Sequence, residues 1–238
     1  MSQKTVCSNL KKDKKENIIA IDGPAGSGKS TVARLVAKRL GYFYIDTGAM
    51  YRALTLKAIK KNIDFKDENF LSALAAESCI ELKRQKDGSL KVFLDNKDVT
   101  GRIREPDVNA NISALSRLKE VRKSMVLRQR ALARKGKVVL EGRDIGTVVF
   151  PRARYKFYLD AEFKTRVNRR HKEFLIQNKN ISRLKVRADL LRRDRSDKLR
   201  KVAPLKKATD AKYIDTTGLN IDEVVEKIIS YISRKNNI

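Results

Sequence analysis

The 238-residue sequence predicts an α/β fold: a five-stranded parallel sheet flanked by helices, with a small antiparallel β insert and a helical lid. Three observations carry this prediction. Residues 18–40 run from a short apolar strand through a glycine-rich turn into an amphipathic helix. Further short apolar runs, at residues 42–45, 137–141, 155–160 and 212–215, are separated by stretches of helical spacing. A densely charged helical stretch fills residues 162–200.

The first element is the strand Ile18-Ile19-Ala20-Ile21, which leads through Asp22 into Gly23-Pro24-Ala25-Gly26-Ser27-Gly28-Lys29-Ser30-Thr31. Glycines at these positions let the backbone turn with its N–H groups pointing inward, a cradle for phosphate oxygens. Lys29 supplies a cation for the β- and γ-phosphates of a nucleotide, and the Ser30 hydroxyl reaches a nucleotide-bound Mg²⁺. The helix that starts here places Val32, Leu35, Val36 and Leu40 on one face before Gly41 closes it, and its positive end adds to the anion site.

Tyr42-Phe43-Tyr44-Ile45 forms the second strand. Asp46 or Thr47 can cap the helix that follows through Leu54, Leu56 and Ile59, and Tyr51 and Arg52 on it suit a nucleotide base or phosphate. Residues 63–103 change character. Ile80-Glu81-Leu82 and Leu90–Leu94 read as strands joined by a turn at Lys86-Asp87-Gly88-Ser89, and a second turn at 95–99 opens a short third strand. Helical spacing returns from Glu105 to Ala133, with Val108, Ile112, Leu115, Val121, Met125 and Leu132 as its apolar face.

Lys137–Glu141 is a compact strand that ends in Gly142-Arg143-Asp144-Ile145-Gly146-Thr147. Ligands of open parallel sheets sit beyond the carboxyl ends of the strands, which places Arg143 and Asp144 on the same edge as the glycine loop. After the strand Tyr155–Asp160, residues 162–200 carry Arg166, Arg169, Arg170, Arg183, Arg187, Arg192, Arg193, Arg195 and Arg200. The plain reading is a solvated helix pair; the sharper one is an arginine lid that closes over polyphosphate and excludes water. A last strand from Lys212 and a terminal amphipathic helix over 221–232 complete the chain.

Composition bounds the partners. Residues 1–16, with Lys4, Lys11, Lys12, Lys14 and Lys15 and little to bury, are expected to form a flexible basic tail. No run is long and apolar enough for a membrane span or a secretory signal, so a cytoplasmic location and no membrane partner are expected. Cys7 and Cys79 offer neither metal spacing nor a disulfide framework, and the single histidine, His171, argues against a zinc cluster or a histidine base. A net charge of +27 attracts nucleotides and phosphate as readily as nucleic acid, and most lysines read as solvated surface.

Taken in order, the motifs 21–31, Asp46-Thr47-Gly48-Ala49-Met50-Tyr51-Arg52, Gly142 to Pro151, Arg193-Asp194-x-x-Asp197-x-x-Arg200 and Val202-Ala203-Pro204-Leu205 resemble the bacterial cytidylate kinases, a group of P-loop nucleoside monophosphate kinases. The resemblance spans about residues 17–235. It implies ATP-dependent phosphorylation of CMP and dCMP with Mg²⁺. It implies Thr47, Tyr51, Arg52 and Arg143 at the acceptor monophosphate, Ser113 and Arg122 at the cytosine edge with Asp144 nearby, Asp197 at the sugar, and Arg193 and Arg200 on the phosphate side. Lys29, Arg143, Arg193 and Arg200 would then assist transfer. A kinase core (17–62, 104–161 and 198–238), a substrate-binding insert at about 63–103, a lid at about 162–197 and a monomer are the matching expectations.

Three other readings compete. A kinase for another monophosphate such as UMP would share the fold and differ only at the base-reading positions. A P-loop GTPase would need an Asn-Lys-x-Asp guanine reader, and Asn96-Lys97-Asp98 lacks that spacing. A basic RNA-binding protein would explain the charge but not Lys29-Ser30, Arg143-Asp144 and Asp197 in one chain; weak non-specific contact is the only nucleic-acid partnership expected.

Overall fold

The computed structural model describes residues 18–85, 89–134, 136–177 and 180–236. The basic tail and the Lys86-Asp87-Gly88 part of the predicted turn lie outside the described residues. Strands β1 (Ile18–Asp22), β2 (Phe43–Asp46), β6 (Val138–Gly142), β7 (Tyr155–Asp160) and β8 (Lys212–Asp215) form a five-stranded sheet in the order β2-β6-β1-β7-β8. All four pairings are parallel. Register brings Asp46 opposite Glu141 and Asp22 opposite Gly142, so the strands end together on one edge.

Both faces of the sheet are covered, which is why its strands read as continuous apolar runs. In β1, Ile18 and Ala20 point into one core and Ile19 and Ile21 into the other, as a period of two requires. The first core packs the sheet against α2 (Thr47–Lys60), α3 (Glu68–Glu77), α4 (Pro106–Ser116) and α5 (Lys119–Leu132). The second packs it against α1 (Lys29–Leu40) and α8 (Ile221–Asn236), where Phe157 meets Tyr231 edge to face. A third cluster, Val167, Val186, Leu190 and Ala25, seats α6 (Phe163–Ile176) and α7 (Arg183–Leu199) on the glycine loop.

The second sheet is antiparallel and comprises β3 (Ile80–Arg84), β4 (Leu90–Leu94) and β5 (Lys97–Asp98). Asp95 and Asn96 adopt φ 47° and 66° in the turn between β4 and β5, the left-handed pair that a tight hairpin demands. Two expectations need correction here. The segment 63–103 is not β structure alone: α3 lies within it, capped by Asp67, whose carboxylate accepts from the Phe70 N–H at 2.9 Å. The helical stretch from Glu105 to Ala133 is two helices rather than one. Leu118 leaves the helical region at ψ 129° and buries its side chain, while the Arg122 guanidinium donates to the Ser116 carbonyl at 3.0 Å, satisfying a group the break leaves open. Among the described residues, no helix is long and apolar enough to cross a membrane.

Candidate active site

Asp22, Asp46 and Glu141 stand at the ends of neighbouring strands, and the polypeptide turns away from each into a loop or helix that lines one cleft of about 500 Å³. After β1, Gly23 sits at φ 150° where a Cβ would lie 2.0 Å from the Leu159 carbonyl oxygen, so only glycine lets the loop leave the sheet here. Gly28 at φ 87° then opens α1 with no side-chain cap and no acidic residue in its first turn. The N-terminal end of α1 thus carries the positive end of the helix dipole uncompensated by any side chain of its first turn. Lys29 is 4% exposed and folds back, donating to the Pro24 carbonyl at 2.6 Å. Burial, and then the neighbouring Arg143, lower its ammonium to about 7.

Ser30 donates to Glu141 Oε1 at 2.7 Å. Glu141 is buried, and that burial followed by the nearby Asp46 raises its carboxyl above the ordinary range. Thr47 donates to the Glu141 carbonyl oxygen at 2.6 Å, and Asp46 Oδ1 accepts from the Ala49 N–H at 2.8 Å to cap α2. One carboxylate therefore touches the glycine-loop hydroxyl while its backbone fixes Thr47.

Loop 143–147 is held from beneath by Asp22, whose two oxygens accept from the Ile145 and Gly146 N–H groups at 2.8 and 2.7 Å. Above it, two acids and three arginines form a chain. Arg122 donates to Asp144 at 2.5 Å and lies over the Tyr51 ring; Arg143 donates to Asp197 at 2.8 Å; Arg200 stands 3.7 Å from Asp144 and 3.6 Å from Asp197. Burial alone would raise the Asp197 carboxyl, but Arg143 and Arg200 together hold it below its usual range. Tyr51 Oη, Arg122 Nε and Arg200 Nη2 are buried with no hydrogen-bond partner, polar capacity left open along the cleft wall.

All of Thr47, Tyr51, Arg52, Ser113, Arg122, Arg143, Asp144, Arg193, Asp197 and Arg200 line the cleft, as do Ala25, Gly26, Gly28, Lys29, Ser30 and Thr31. Gly23, Pro24 and Ser27 do not; they shape the loop from behind. Of the charged stretch 162–200, only Arg170, Arg193 and Arg200 among its arginines reach the cleft. Arg166 is buried against Asp194 at 2.6 Å and the Ala25 carbonyl at 3.0 Å, Arg169 donates to Thr216, and Arg183, Arg187, Arg192 and Arg195 face outward. Glu141, Asp22 and Arg104 escaped the sequence reading. For the two acids the available signal was a carboxylate at the end of an apolar strand.

A cleft whose floor is a glycine loop and whose far wall is arginine supplies backbone N–H groups and cations on opposite sides of one space, the arrangement of a P-loop kinase. The family model for cytidylate kinase matches residues 19–234. Cytidylate kinases of Carboxydothermus hydrogenoformans and Lactobacillus gasseri are 46% and 49% identical over 92% and 91% of this chain and 99% and 94% of their own. That of Pelotomaculum thermopropionicum is 47% identical over 90% of this chain and 95% of its own. The chain belongs to the cytidylate kinase family.

Proposed function

We propose that the chain transfers the γ-phosphoryl group of ATP to CMP and dCMP, yielding CDP and dCDP with ADP, by direct in-line displacement. The observation that carries this reading is the convergence of the predicted acceptor residues on one cleft at the mouth of the glycine loop. ATP phosphates lie in loop 23–31 and on the N-terminus of α1, with Lys29 turning from the Pro24 carbonyl to the β- and γ-phosphates. The acceptor phosphate sits among Thr47, Arg52, Arg143 and Arg193, with Tyr51 beside it. Ser113, Arg122 and Asp144 read the base edge, Asp197 holds the sugar, and Arg200, between Asp144 and Asp197, serves the phosphate side with Arg193.

A hydroxyl and a carboxylate 2.7 Å apart beside the loop are hard oxygen donors of the kind Mg²⁺ takes. Ser30 and Glu141 would hold the ion together with nucleotide phosphates, and when bound it neutralises charge developing between the β- and γ-phosphates. An oxygen of the acceptor phosphate attacks the γ-phosphorus, and the bridging oxygen leaves with ADP carrying the bonding pair. No protein nucleophile is required. Arg193, lowered to about 9 by burial and then by Arg52 and Arg143 against support from Asp197, stands where cations outnumber acids, a surplus that bound phosphate relieves.

The test is ADP release from ATP and Mg²⁺ with CMP, dCMP, UMP, AMP and GMP as separate acceptors. Turnover confined to CMP and dCMP is the expected result. Equal rates with UMP would move the reading to a broader pyrimidine kinase, and RNA binding without any turnover would overturn it.

A further inference from the structure

We propose that Arg104, contributed from beyond the small sheet, is an additional ligand of the acceptor phosphate, parked on Asp46 while the cleft is empty. The proposal rests on the reading of the cleft as an acceptor-phosphate site. Arg104 closes a short 3₁₀ turn, Arg102–Arg104, between β5 and α4. The turn is anchored from within: Ile103 is 1% exposed, and the Arg104 carbonyl accepts from Asn109 Nδ2 at 2.9 Å. Its backbone is thus fixed while its side chain is 55% exposed and borders the cleft.

The two arginines of the turn are held differently. Arg102 grips Asp107 with two bonds of 2.7 and 2.5 Å and takes no part in the cleft lining. Arg104 reaches a single carboxylate oxygen, Asp46 Oδ2, at 3.4 Å, and the other oxygen of Asp46 is engaged in capping α2. A single long contact to a half-engaged carboxylate is a weak hold on a guanidinium.

Charge points the same way. The Arg52 guanidinium is lowered by burial, is supported by Asp46, and is opposed by Arg104, Arg170 and Arg143. Arg104 therefore belongs electrostatically to the cationic group that faces the acceptor phosphate, where cations outnumber acids. A dianionic phosphate beside Arg52 offers Arg104 a bidentate partner with more charge than Asp46 supplies. Its long side chain permits that exchange without movement of the anchored turn.

Arg104→Ala is expected to raise KM for CMP at least about tenfold, one charge-assisted contact, while KM for ATP stays within about twofold. Arg104→Lys, which keeps the charge without the fork, should fall between the two. Inhibition of the wild-type enzyme and both variants by cytidine, which lacks the phosphate, discriminates the alternatives. An unchanged inhibition constant for cytidine with a raised KM for CMP supports the proposal. An unchanged KM for CMP, or equal weakening of CMP and cytidine, overturns it and leaves the reading of the enzyme intact. Failure of the wild-type protein to phosphorylate CMP would instead remove the reading itself.

Discussion

Lys29 concentrates two opposing demands in one side chain. The proposed transfer requires its ammonium to meet the phosphates, yet burial and then Arg143 lower it to about 7 when no phosphate is present. Nucleotide phosphates reverse that pressure by favouring the charged form, so ATP binding near pH 8 should draw in protons. Calorimetry in buffers of different ionisation enthalpy measures this uptake, and Lys29→Met should abolish it; equal uptake by both proteins would refute the assignment. The same variant should lose at least about a hundredfold in turnover, the scale on which removal of one transition-state cation acts. Asp22 works in the opposite sense: burial raises its carboxyl to about 7 against two backbone N–H donors. Between the ordinary carboxylate range and pH 7 the native state holds more protons than the unfolded chain, so this group lowers stability as pH rises. Asp22→Asn should flatten part of that slope in urea melts taken between about pH 5 and pH 8.

Elements owe their placement here to backbone positions more than to propensity. The glycines of the loop predict unequal tolerance. At Gly23 a Cβ meets the Leu159 carbonyl, part of β7, whereas at Gly28 it meets nothing and Ala faces only the left-handed penalty of about 1–2 kcal/mol. Urea unfolding should find Gly23→Ala clearly the more damaging, and a reversed order would contradict the packing of the loop on β7. After α7, Ala203 takes φ 49° and offers its carbonyl to Arg200 Nε at 2.6 Å, while the Leu205 N–H reaches the Asp197 carbonyl at 2.8 Å. Residues 202–205 therefore act by orienting Arg200 and Asp197, a role invisible in a run of small apolar residues. The parallel strands and α1 were legible because burial on both faces and a glycine-bounded amphipathic helix leave strong periodic signals. The break at Leu118 was not, because one apolar residue out of phase looks like scatter until the core that receives it is known.

At the scale of the molecule, +27 is an electrostatic load that folding concentrates. Added salt screens it, so the thermal midpoint of the unliganded protein should rise from low ionic strength to about 0.2 M salt while affinity for ATP falls. A midpoint that drops with salt would show that ion pairs such as Arg39 with Glu226 outweigh the repulsion. Sequence alone determined the chain's chemistry: the glycine-rich loop that opens α1, the five strands of the parallel sheet and the set of arginines and acids, because each is carried by local spacing and residue type. Only the tertiary structure decided which charges meet. Arg143 pairs with Asp197 across 54 positions and Arg122 with Asp144 across 22, while Arg166 withdraws into the interior with Asp194 and Arg104 is brought to the cleft. Pairings of that range depend on sheet order and helix packing, which no local pattern encodes, so function was readable as a list of groups before it was readable as a site.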